Sequence, residues 1–202
     1  MSREAVPAAT GDGALTVLIR LLPQLLFLAC TASVVAAAFV DLAGGGNSWK
    51  QGDWLINNDG GFIRRGVFGS ALLDVAALLG MNPVRLVVFL QVGLVLAVAG
   101  LTWAAVQRLQ PRATLWLLLI GPGFFVRFWA LDLQGGLRKE LIAFLALALL
   151  AFAATRVGSG RVLALLATVI YLISIVAHEA NIFLAPFVLA CLYLMSRDGQ
   201  MP

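Results

Sequence analysis

The sequence predicts an all-α integral membrane protein, a polytopic helix bundle of about six spans plus a short re-entrant or interfacial helix. Three observations carry this. Apolar residues make up 61% of the 202 positions, charged residues only 12%, and the mean hydropathy is +0.97. A soluble domain carries about a quarter charged residues, and repeated apolar runs long enough to cross about 30 Å of hydrocarbon call for helices. The length leaves room for one transmembrane domain over 1–202, with residues 1–14 as a disordered leader and 43–82 as a polar outer loop containing a short helix. The net charge of +4 is what basic residues flanking spans produce, and it needs no nucleic-acid partner.

The first span is expected from Leu21 to Leu42, with Pro23 in its first turn, where a missing N–H costs little. Gly44-Gly45-Gly46-Asn47-Ser48 ends it. Val67 to Leu79 is apolar but only thirteen residues long and contains Asp74, which suits an interfacial or re-entrant helix. A second span runs from Val84 to Val106. Thr114 to Leu131 is a third, interrupted by Gly121-Pro122-Gly123, residues that break or kink a helix. Leu141 to Thr155 is a short fourth span opening directly after Arg138-Lys139-Glu140. Val162 to Met195 is too long for one comfortable span, and His178-Glu179-Ala180-Asn181 near its middle divides it into two short helices.

Cys30 and Cys191 both lie in apolar runs and read as small buried side chains rather than a disulfide. The single His178 excludes a multi-histidine metal centre. No phosphate-binding glycine loop, HExxH, G-x-S-x-G or CxxC motif occurs.

Alternating spans distribute the basic residues evenly over the two sides, but the acids concentrate on one. The side with Arg3, Arg20, Arg108, Arg112, Arg156, Arg161 and Arg197 is basic with few acids, as cytoplasmic loops are, and this puts the N-terminus in the cytoplasm. The other side gathers three polar groups that are far apart in sequence: the Asp53–Arg65 stretch, the Arg127–Glu140 stretch and the His178–Asn181 corner.

Each group has a chemical reading and a plainer one. Asp53, with Asp59 beside it, can serve as a general base or help hold a divalent cation; the same Asn-Asn-Asp-Gly-Gly run is also what a turn requires. Arg64 and Arg65, adjacent and next to a helix start, can grip a phosphate bidentately or anchor to lipid headgroups. Arg138 and Glu140 can contribute to a substrate site, with Glu140 pairing with Arg138, Lys139 or Arg64, or they can snorkel at a span boundary. His178 and Glu179 interrupt an apolar run at membrane depth, where ionisable groups are expensive and point to function. Glu179 then acts as acid, base or arginine partner with His178 orienting it. The alternative there is an exposed corner with Asn181 capping the next helix.

The pattern DWLIN…GGFIRRG…G, then RKE opening a span, then HE within a late span, resembles bacterial polytopic envelope-polysaccharide proteins. These are the O-antigen or exopolysaccharide polymerases and the lipid-sugar-dependent glycosyltransferases of the GT-C architecture. The resemblance covers residues 50 to 185, and members are generally larger, with more spans. It implies an inner-membrane protein that transfers or polymerises sugars from a polyprenyl-phosphate carrier. Arg64 and Arg65 would hold the phosphate, Asp53 or Glu179 would act as base, and Arg138 and His178 would stabilise the leaving group. Two other classes fit the same residues: a transporter or flippase component built around the broken helices, and a non-catalytic subunit that meets protein partners in the membrane.

Overall fold

The computed structural model describes residues 12–61, 63, 65–121, 130–132, 136–156 and 160–197. Every regular element among them is helical. In chain order these are α1 (Asp12–Ala43), a 3-10 turn (Asp53–Leu55), α2 (Gly66–Leu78), α3 (Pro83–Val106), α4 (Arg112–Leu119), α5 (Glu140–Ala153), α6 (Gly160–Ala177), a second 3-10 segment (Glu179–Leu184) and α7 (Ala185–Arg197). Four stretches among the described residues are long and apolar enough to cross a membrane: Leu21–Ala43, Pro83–Val106, Gly160–Ala177 and Glu179–Arg197. Gly66–Leu78 and Glu140–Ala153 are shorter apolar helices. The helical membrane bundle expected from composition is therefore present.

Two expectations change at the N-terminus. The helix begins at Asp12, so the last residues assigned to the leader are helical. Pro23 lies in the helix interior and not in the first turn. The apolar residues upstream of Pro23 extend the helix. The interruption at Pro122-Gly123, with Arg127, lies outside the described residues.

Helix α5 is the axis of the bundle. It packs against α3, α6 and α7, and eight of its fourteen residues are buried, including Leu141, Ala143, Ala146, Leu150 and Ala153. A helix apolar on all sides belongs inside a bundle. Its length sets the depth of the residues before it. Fourteen residues at about 1.5 Å each reach about 21 Å, against about 30 Å of hydrocarbon. If one end of such a helix is level with its longer neighbours, the other is sunk among them. Of the charged residues at its start, Lys139 is fully buried, while Arg138 and Glu140 stay about a third exposed.

One core cluster joins Val34 and Ala38 of α1, Trp54, Val87, Val88 and Val95 of α3, and Leu137, Leu141 and Ile142. A second fills the space between α5, α6 and α7. A third, around Phe27, Ala99, Val106 and Trp116, ties α1 to α3 and α4 at the other end of the bundle. At that end Arg108 and Arg156 lie over the Phe152 ring, 5.1 and 5.7 Å from its centroid, a cation–π arrangement.

The loop between α1 and α2 is held by backbone contacts that only glycine permits. A Cβ on Gly69 would collide with the Ile56 carbonyl and lie 3.0 Å from the Trp54 carbonyl oxygen; one on Gly66 would collide with the Asn58 side chain. These glycines let the first turns of α2 lie against the 54–58 segment. Gly69→Ala is expected to destabilise by about 1–3 kcal/mol, because backbone must move to admit the methyl group. Gly93→Ala on α3 has nothing within 4 Å of the new atom and should stabilise by about 0.5–1 kcal/mol, the helix-propensity gain over glycine. Thermal unfolding of the two variants in the same detergent checks the difference in sign.

Candidate functional site

The polar segments converge, and two contacts join them. Arg65, immediately before α2, makes a two-pronged pair with Glu179: its Nε donates to both carboxylate oxygens at 2.9 and 3.0 Å, and its Nη2 donates to Oε1 at 2.6 Å. The fork links residues 114 apart in sequence and is the strong, directional form of an arginine–carboxylate pair. It raises the Arg65 guanidinium further above its ordinary range, first through the hydrogen bond and then through the charge of Glu179. Secondly, His178 Nε2 lies 3.2 Å from Glu140 Oε1. Arg138 Nε is 3.9 Å from the same Glu140 oxygen.

The chain at the corner is built to break here. Helix α6 ends at Ala177, and His178 takes an extended conformation (φ −154, ψ 110) before the 3-10 segment begins. Backbone groups freed at this depth need partners, and they have them. The His178 amide and the Asn181 side-chain amide both donate to the Ser174 carbonyl, at 2.8 and 3.0 Å. Tyr171 donates its hydroxyl to the Asn181 carbonyl at 2.8 Å. The buried Asn181 thus ties the corner back onto α6, and the cap expected from it on the next helix is not the role it takes.

A second network holds the loop between α1 and α2 beneath the site. Trp54 is fully buried and its indole N–H donates to the Leu137 carbonyl at 2.9 Å. The buried Gln91 amide donates to the same carbonyl at 2.5 Å and to the Lys50 carbonyl at 3.1 Å, while its oxygen accepts from Gln51 at 2.9 Å. Lys50 reaches Asp41 at 2.8 Å. Leu137 is therefore gripped from two sides, and the next three residues are Arg138, Lys139 and Glu140.

Lys139 is the unusual member. Its side chain is completely buried, and its Nζ has no hydrogen-bond partner. Burial lowers its pKa; Asp53, Glu140 and Glu179 oppose that shift and Arg65 adds to it. The consequence for stability has a definite sign. A lysine whose folded pKa lies below its unfolded value binds fewer protons when folded, so stability rises with pH between the two values. The burial penalty is full below the lowered folded pKa and has gone above about 10.4, the ordinary value. The wild-type melting temperature should accordingly climb over the alkaline limb relative to Lys139→Met, and parallel pH profiles of the two would refute it.

Other groups at this end are short of partners as well. Asp53 Oδ2, Glu140 Oε2 and Arg138 Nε are buried without a hydrogen bond. Native proteins pair nearly all such groups. The cluster therefore holds two orphan donors and two orphan acceptors.

Comparison with known protein families, curated proteins and solved structures gives no match.

Of the residues singled out from the sequence, Asp53, Arg65, Arg138, Glu140, His178 and Glu179 do meet at one end of the bundle, and Arg64 lies outside the described residues. Two roles are corrected and one is decided among its alternatives. Arg65 is occupied by Glu179, so it is not free to clamp a phosphate as one of a pair. Glu179, held by that fork, takes the arginine-partner role, one of the alternatives the sequence offered for it. The ring nitrogen of His178 faces Glu140, since the extended backbone at 178 turns the imidazole towards α5, so it does not orient Glu179. Asp59 sits exposed in a turn, where its amide donates to Asn57 Oδ1 at 3.0 Å, the plainer of its two readings. Among the described residues no group of three His, Cys, Asp or Glu side chains is placed to hold a metal ion. In the sequence Lys139 reads only as one possible partner for Glu140. What marks it is the shortness of the helix it precedes.

Proposed function

We propose that this is a bacterial inner-membrane protein that transfers or polymerises sugars from a polyprenyl-phosphate carrier in envelope polysaccharide synthesis, with its N-terminus cytoplasmic and its polar cluster at the outer face. The observation that carries the reading is the convergence itself. Arg65–Glu179 and His178–Glu140 bring three distant segments together at the ends of apolar helices, where a lipid-linked headgroup is presented. Transfer of a sugar needs a base for the acceptor hydroxyl and positive charge near the departing phosphate. Glu140 and His178, within hydrogen-bond distance of each other, supply the acid–base couple. Arg138 supplies cationic charge, and the Arg65–Glu179 fork fixes the rim.

A second reading is favoured by one observation, the helix break at His178 with a carboxylate beside it. Discontinuous helices of this kind form substrate sites in transporters, and in that reading the protein moves a substrate without altering it.

Native mass spectrometry of the protein extracted from its own membrane in polymer-bounded discs separates these. A retained polyprenyl-phosphate sugar is the expected result. Recovery of bulk phospholipid alone would overturn the proposal. Substrate uptake by vesicles with no glycan product would favour transport, and a stoichiometric protein partner would favour a structural subunit.

A further inference from the structure

We propose that Lys139 is the phosphate-binding residue of this site and that Asp53 and Glu140 receive hydroxyl groups of the same ligand, which is a glycosyl phosphate. The inference rests on the proposed function for the lipid carrier but is drawn from different atoms.

Exposure differs sharply across the cluster. The Arg65 and Glu179 side chains are 39% and 35% exposed. Lys139 is fully buried. A buried ammonium is normally paired, because an isolated one is too costly to leave dry. Here three carboxylates act on it through space, those of Asp53, Glu140 and Glu179, yet none makes a hydrogen bond with its Nζ. Glu179 is engaged with Arg65, and Glu140 turns Oε1 to His178. The network thus withholds its own acids from Lys139.

The orphan atoms define what would complete the cluster. Lys139 Nζ and Arg138 Nε are donors and need an acceptor; Asp53 Oδ2 and Glu140 Oε2 are acceptors and need donors. A bare anion would satisfy the first pair and repel the second. A neutral sugar would satisfy the second and leave the ammonium uncompensated. A ligand with a phosphate anion next to hydroxyl groups satisfies both. Phosphate oxygens favour an ammonium as a point-charge partner, and sugar hydroxyls donate well to carboxylates. Lipid-linked sugars and ordinary phospholipid headgroups share the phosphate, so the hydroxyl contacts tell them apart.

The test uses the full chain in phosphatidylcholine nanodiscs with three probes: geranylgeranyl phosphate carrying glucose, geranylgeranyl phosphate, and geranylgeraniol. Wild-type protein is expected to bind the glucose-bearing lipid most tightly and the alcohol least. Lys139→Met should weaken both phosphate lipids by at least about tenfold, the loss of one charge-assisted contact. Asp53→Asn should weaken the glucose-bearing lipid alone and erase its advantage over the bare phosphate. The melting temperature of Lys139→Met should be equal to or above that of wild type, since an uncompensated buried charge is removed; a lower value would assign Lys139 a structural role and overturn the proposal. Wild-type affinity retained by Lys139→Met would overturn the assignment of this residue while leaving the lipid-sugar reading intact. Equal competition by phosphatidylglycerol would reduce the site to a general headgroup contact and overturn the glycosyl phosphate. Failure of wild type to bind any probe would bring down the proposed function itself.

Discussion

Trp54→Ala is expected to lower stability by about 3–5 kcal/mol, the range for deleting a large buried aromatic side chain. Trp54 is completely buried among Val34, Val87, Leu137 and Leu141, and its ring lies 6.0 Å from that of Phe68. It connects the loop between α1 and α2, α2 itself, α3 and the turn before α5. Trp54→Phe separates packing from hydrogen bonding. It keeps most of the apolar volume and loses only the donation to the Leu137 carbonyl, which Gln91 still satisfies, so about 1 kcal/mol is expected. Thermal unfolding in detergent ranks the three proteins. If alanine and phenylalanine were equally harmful, the hydrogen bond would dominate and the packing account would be wrong. The alanine variant should also weaken ligand binding, because Leu137 immediately precedes Arg138-Lys139-Glu140.

The second large effect concerns activity rather than folding. Glu179→Ala is expected to reduce envelope glycan formation by about a hundredfold or more, the cost of misplacing a positioned group by about 1 Å. Both partners of the fork are more than a third exposed, so solvent screening limits its contribution to stability to about 0–1 kcal/mol. Protein level and melting temperature should accordingly change little. Arg65→Ala should resemble Glu179→Ala, and the double variant should be hardly worse than either, since the two residues act as one unit. Normal glycan output from Glu179→Ala, at wild-type protein level, would remove the fork from the mechanism. Additive losses in the double variant would mean that the two residues act separately.

The elements differ in how plainly the sequence announces them. Helix α3 is legible nearly to the residue. Asn82 before Pro83 forms its N-terminal cap, accepting from the Val84 and Arg85 amides at 2.9 and 3.3 Å, and such a cap with proline in the first turn is a local signal. The break at His178 is legible too, because polar residues interrupt an apolar run. The start of α1 is not. Pro23 suggests a first turn on local grounds, whereas apolar residues on both sides of it continue the helix through that position. Gln91 shows the same limit from another direction. Within the sequence it is a lone polar residue in an apolar span, and its purpose appears only when Gln51, Lys50 and Leu137 surround it.

Local patterning suffices to make this chain a helical membrane protein and to place its apolar helices roughly. It also marked Asp53, Arg64, Arg65, Arg138, Glu140, His178 and Glu179 as the polar residues to watch, of which Arg64 lies outside the described residues. Those conclusions come from hydropathy and composition, which act locally and survive without knowledge of neighbours. Tertiary structure alone decided the pairing. Arg65 had two or more carboxylates to choose from and took Glu179; His178 stood beside Glu179 in sequence and turned to Glu140. Pairing depends on which helix ends meet and at what depth. Helix α5 packs between α3, α6 and α7, and Lys139 just before it is buried where these elements meet. A residue that reads as an ordinary flanking charge thereby becomes the one buried cation whose amine has no hydrogen-bond partner among the described residues.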